Sequence, residues 1–76
     1  MVFAYVLINA EVGYEDSVLA EAKKVPEVKT AHLVYGVYDI VLLLEAPNVE
    51  MLKDVITKKI RKIPNVRSTL TMMVVK

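Results

Sequence analysis

At 76 residues the chain has room for one domain. Its hydrophobic content is 55% and its charged content 25%; ordinary domains carry roughly 45–50% and about 25%, so the surplus apolar surface of so small a domain predicts a partner chain. The absence of cysteine excludes disulfides, a thiol nucleophile and Cys-based metal sites, and a formal net charge of +1 excludes a strong global field toward nucleic acid.

Residues 2–11 are apolar on both alternating faces, with Phe3, Tyr5 and Leu7 on one and Val2, Ala4, Val6 and Ile8 on the other. That pattern belongs to a strand covered on both sides. It has neither the basic start nor the small-residue cleavage site of a signal peptide. Gly13 breaks the strand, and Glu15 and Asp16 place carboxylates where a helix N-terminus favours them. Val18, Leu19, Ala22 and Val25 then recur at helical spacing until Pro26. The second strand runs over residues 28–35. Gly36 turns the chain into a third, residues 38–45, again apolar on both faces.

Pro47-Asn48 reads as a turn followed by a helix cap. The second helix carries Val49, Leu52, Val55, Ile56, Ile60 and Ile63 on one face. Glu50, Lys53, Asp54, Thr57, Lys58 and Arg61 lie on the other, and Asp54 and Lys58 form a favourable i,i+4 pair. Residues 66–75 form the last strand. The helix-to-strand junctions are near copies: Val25-Pro26-Glu27-Val28-Lys29-Thr30 and Ile63-Pro64-Asn65-Val66-Arg67-Ser68. In each, proline pushes the preceding residue out of the α region and releases the chain into a β-branched run.

The order β-α-β-β-α-β predicts an α+β, ferredoxin-like sandwich. A single domain spans residues 1–76, with a four-stranded antiparallel sheet and two helices on one face. The first and third strands are central. Because the helices cover one face only, the other must meet a partner, and a sheet-to-sheet homodimer is the simplest isologous solution. No run approaches the roughly 18–20 apolar residues of a membrane span. With no cysteine, a cytoplasmic location is the default expectation, and the lack of Cys and Gln beside many Lys and Glu points to a thermophilic source.

Gly36-Val37-Tyr38-Asp39 is the candidate site. Glycine permits positive φ and close approach of a ligand, Tyr38 offers a flat hydrogen-bonding surface, and Asp39 can pair with an ammonium group. On the residues alone, a hairpin turn in which Asp39 satisfies local amides is the favoured reading. His32, the single histidine, has no ligand or triad companions at useful spacing and reads as a surface or interface residue. Residues 58–62, Lys-Lys-Ile-Arg-Lys, read as a solvated helix end. Ser68, Thr69 and Thr71 suit a strand edge and could hydrogen-bond a ligand. The four methionines suit adaptable packing. RNA-recognition modules of the same topology need stacking aromatics on the central strands, and Ile40-Val41-Leu42-Leu43-Leu44 supplies none. With only Gly13 and Gly36, a phosphate-cradling glycine loop is excluded.

The run Val-Tyr-Gly-Val-Tyr-Asp-Ile-Val-Leu over residues 34–42, with Ile63-Pro64-Asn65-Val66 and the hydroxyl-rich Ser68-Thr69-Leu70-Thr71, resembles the effector-binding (RAM) domain of the Lrp/AsnC regulators of amino-acid metabolism. The resemblance covers residues 2–75. It implies dimers formed through the sheets, assembly of dimers into rings, and an amino acid held between dimers near the loop after the second strand. By position it assigns ligand contacts to Gly36, Tyr38 and Asp39, with Asp39 facing the ammonium, and carries Thr69 and Thr71 along as further contacts. The family's regulators also carry an N-terminal helix-turn-helix domain, whereas this chain begins at its first strand. The expectation is thus a stand-alone effector module without direct DNA binding. It would act on transcription or amino-acid metabolism indirectly, by mixed assembly with a full-length regulator. No cofactor, metal or catalytic residue is expected. The alternatives are a small ferredoxin-like enzyme of isomerase or cofactor-free monooxygenase type, built on His32, Asp39, Tyr5 and Tyr35, and a purely structural oligomer.

Overall fold

Alternation along the two central strands divides the molecule into a covered side and a bare side. The computed structural model describes all 76 residues. Its elements are β1 (Val2–Ala10), α1 (Glu15–Lys23), β2 (Val28–Leu33), β3 (Ile40–Ala46), α2 (Val49–Val55), a π-helical turn (Ile56–Ile60) and β4 (Val66–Met73). The strands form one antiparallel sheet in the order β2-β3-β1-β4. Ala4, Val6 and Ile8 of β1 stand opposite Leu44, Leu42 and Ile40 of β3. All six are buried against Val18 and Ala22 of α1 and Leu52 and Val55 of α2 in a single core. Each of the larger ones contributes about 1.5–3 kcal/mol by leaving water. This is the ferredoxin-like α+β sandwich read from the sequence.

The opposite face carries Phe3, Tyr5 and Leu7 of β1, paired with Glu45, Leu43 and Val41 of β3. Leu70 and Met72 of β4 stand beside Leu7 and Tyr5, and His32 of β2 stands beside Val41. No helix covers this side. Phe3, Tyr5, Leu70 and Met72 keep 36–45% of their surface in the single chain.

The two proline junctions are equivalent in three dimensions. After Pro26 the Glu27 carbonyl accepts the Glu45 amide at 2.9 Å, and after Pro64 the Asn65 carbonyl accepts the Glu11 amide at 2.8 Å. Next in each junction comes a bulge residue, Lys29 on β2 and Arg67 on β4, where the strand register shifts. Lys29 Nζ lies 3.0 Å from Glu45 Oε1, and Arg67 Nε lies 3.2 Å from Glu11 Oε2. The repeat therefore encodes the same device twice: proline stop, carbonyl tie, basic bulge and ion pair. Only the second copy uses positive φ, at Asn65 (72°), a conformation asparagine tolerates better than most residues.

Four expectations shift. Strand β2 ends at Leu33 and β3 begins at Ile40, so residues 34–39 form a longer loop than the expected turn. That leaves Val34, Tyr35 and Val37 without strand partners. Likewise β4 ends at Met73, and β1 ends at Ala10, where Glu11 takes up the carbonyl tie. The second helix is α-helical only to Val55 and continues as the π-helical turn. Finally, Val49 is 41% exposed, because the first turn of α2 projects beyond the core its later residues enter. The Asn48 cap forms as expected, its Oδ1 accepting the Met51 amide at 2.9 Å, and Lys58 approaches Asp54 at 3.8 Å.

Candidate functional site

The loop between β2 and β3 is fastened at its base and open at its tip. At the base, the Val34 amide donates to the Asp39 carbonyl at 2.7 Å, and the Asp39 amide donates to the Ile8 carbonyl at 3.0 Å. The Asp39 carboxylate adds a third tie: Oδ2 accepts the Ala10 amide at 3.0 Å. This differs from the local turn contact considered from the sequence, because Ala10 lies on β1, 29 residues away. The other oxygen, Oδ1, makes no hydrogen bond within the chain. At the tip, none of the amides of Tyr35, Gly36, Val37 or Tyr38 donates within the chain. Gly36 holds φ at 147°, which residues with a Cβ rarely adopt.

Beside this loop lies a cleft of about 430 Å³ lined by Glu15, Asp16, Leu33, Val34, Tyr35, Gly36 and Asp39. The size is in the range of small-molecule sites, about 300–1,000 Å³. Gly36 and Asp39 both line this cleft. Tyr38 is half-buried and lies outside the lining. Thr69 and Thr71 are not brought to the cleft within one protomer. They pair with Ile8 and Val6 on the helix-covered face of β4, the edge strand separated from β2 by both central strands. Thr71 Oγ1 is buried there without a hydrogen-bond partner.

From the sequence, Glu15 and Asp16 read only as acids at a helix N-terminus. Glu15 does serve locally, its Oε2 accepting the Gly13 amide at 3.3 Å, whereas Asp16 is exposed and bonds to nothing in the chain. The signal that could have placed them is topological: the β1–α1 and β2–β3 connections leave the sheet at the same end, beside one another. One basic group is perturbed. A hydrogen bond to Glu21 at 2.8 Å, with its charge, holds the Lys24 ammonium above its ordinary range. That pair is not part of the cleft. No group of three or more His, Cys, Asp or Glu side chains is placed to hold a metal ion, and no helix is long and apolar enough to cross a membrane.

A sandwich with a cleft lined by the Glu15, Asp16 and Asp39 carboxylates, beside a loop of four unpaired amides, has the build of a small-ligand-binding domain. The chain belongs to the Lrp/AsnC ligand binding domain family, whose family model matches residues 3–76. An uncharacterized HTH-type transcriptional regulator of Pyrococcus furiosus is 36% identical over 73 residues, covering 92% of this chain and 49% of the relative. The chain therefore spans about half the length of that regulator. Among solved structures, FFRP-DM1 superposes with a TM-score of 0.94 at 39% identity, covering 99% of this chain and 100% of that one. A feast or famine regulatory protein from M. tuberculosis, complexed with L-methionine, superposes at 0.83 with 26% identity, covering all of this chain and 51% of that one.

Proposed function

We propose that this domain is an amino-acid-sensing oligomerisation module, with Gly36, Tyr38 and Asp39 at its effector site. The observation that carries the reading is the polarity of the β2–β3 loop. Asp39 Oδ1 is an open acceptor for an α-ammonium, and the amides from Tyr35 to Tyr38 are open donors for an α-carboxylate. A zwitterion needs both, a few ångströms apart, and charge-assisted hydrogen bonds of this kind are each worth roughly 1.5–3 kcal/mol. The methionine complex of the M. tuberculosis relative supports the ligand class.

The bare sheet face is the dimer contact in this reading, with Phe3, Tyr5, Leu7, Val41, Leu43, Leu70 and Met72 burying one another across a two-fold axis. Tyr35, which lines the cleft, and Val37, two residues further along the loop, are both exposed and suit a contact between dimers in a ring. Thr69 and Thr71 would then contribute only through a ligand reaching the β4 edge or another protomer. In this account the domain acts in the cytoplasm with regulators of the helix-turn-helix type by mixed assembly, without catalysis. A thermal-shift screen against the twenty amino acids tests the reading, with light scattering after size exclusion. The expected result is an oligomer stabilised by one or a few amino acids. A stable monomer with no response to any of them would contradict it.

A further inference from the structure

We infer that the effector of this chain is a basic amino acid, carrying a second cation on its side chain. The inference rests on reading the cleft as the amino-acid site and adds the charge of the ligand. The carboxylates do not themselves make the site; the loop amides and the cleft do. What they set is its field. Three carboxylates line the cleft, those of Glu15, Asp16 and Asp39, and no lysine or arginine does.

A zwitterionic head group uses one carboxylate, Asp39, against its ammonium, and places its own carboxylate on the Tyr35–Tyr38 amides. Glu15 and Asp16 then remain on the far wall, contributed by α1 rather than by the loop. A neutral side chain would lie beside two carboxylates without pairing with either, and an acidic one would be repelled. A side chain ending in an ammonium or guanidinium group instead gains charge-assisted bonds to carboxylates that have at most one weak partner in the chain: Glu15 accepts the Gly13 amide at 3.3 Å, and Asp16 accepts nothing. Leu33, Val34 and Tyr35 supply apolar wall for the methylene stem between the two charged ends. A diamine without a carboxylate would satisfy the acids but leave the loop amides unpaired, so both ends of a basic amino acid are needed.

Calorimetric titration of the 76-residue chain with L-lysine, L-arginine, L-norleucine and cadaverine separates these contributions. Norleucine is lysine without its ε-ammonium; cadaverine is lysine without its carboxylate. Lysine or arginine should bind at least about tenfold more tightly than norleucine or cadaverine, the effect of roughly one charge-assisted bond. Asp16→Asn, at an exposed position that bonds to nothing in the chain, should narrow the gap between lysine and norleucine. Glu15→Gln should act in the same direction. Norleucine or methionine binding as tightly as lysine would overturn the inference while leaving the amino-acid site intact. Lysine preference unchanged in both variants would also overturn it. Failure of all twenty amino acids to bind would remove the effector site and this inference together.

Discussion

Asp39 Oδ2 accepts the amide of Ala10 at 3.0 Å, across the junction of β3 and β1. One side chain thereby both fastens the sheet and lines the cleft. Ala10 is 3% exposed, so its amide has no ready replacement from water. Removing the acceptor strands a buried donor, at a cost of about 1–3 kcal/mol. Asp39→Ala should lose that much in urea denaturation, while Asp39→Asn, which keeps a carbonyl oxygen for Ala10, should lose distinctly less. Equal losses would mean that the Ala10 contact carries no stability.

Gly36 has space around it but an awkward backbone. No atom lies within 4 Å of where a Cβ would sit, and φ is 147°. The cost of a side chain is therefore conformational rather than steric. Gly36→Val should cost about 1–3 kcal/mol and, by re-aiming the neighbouring amides, should weaken amino-acid binding more than it weakens the fold. Denaturation and titration of the same variant check both halves. A variant with wild-type stability would mean the loop relaxes freely.

The bare face predicts an oligomer that one charge can dissolve. Leu7 sits mid-strand on β1, between Val41 of β3 and Leu70 of β4, on the uncovered side. Leu7→Asp would bury an unpaired carboxylate at a sheet-to-sheet contact on both subunits at once. Size exclusion with light scattering at low micromolar concentration should show the wild type as a dimer or larger. The variant should run as a folded monomer near 8.5 kDa. An unchanged oligomer would place the interface elsewhere.

The paired junctions should matter less than their repetition suggests. Lys29 and Arg67 keep more than half of their side-chain surface in solvent, and exposed ion pairs typically contribute about 0.2–1 kcal/mol. Lys29→Met and Arg67→Met should each fall within that range and be weaker still in 1 M salt. The carbonyl ties and the prolines hold the junctions. A loss well above the range in either variant would show the bulge pair to be a fastening in its own right.

The core was legible because burial imposes a period on the sequence: Ala4, Val6, Ile8, Leu42 and Leu44 alternate as a sheet requires, and two helix-sized stripes complete the covered side. The proline junctions were legible because proline acts locally. Strand ends were not. Val34, Tyr35, Val74 and Val75 have strand-forming side chains, but pairing depends on a partner being opposite, which nothing local reveals. The π-helical turn was hidden for a related reason: Leu52, Val55, Ile56, Ile60 and Ile63 are buried in the structure and fit a continuous helix equally well. Within the cleft, Gly36 and Asp39 stood out by residue type. Glu15 and Asp16 reach it only because the sheet brings two distant connections to the same end.

The most direct test of the effector site is calorimetric titration of wild type and Asp39→Asn with whichever amino acid stabilises the wild type. Asparagine keeps the Ala10 tie and removes the charge proposed to face the ammonium. The account predicts affinity lower by about tenfold to a hundredfold in the variant, with the oligomer unchanged because the proposed sheet contact lies elsewhere. Equal affinities in two intact oligomers would contradict it, leaving Asp39 as a fastening of the sheet and the ligand at another place.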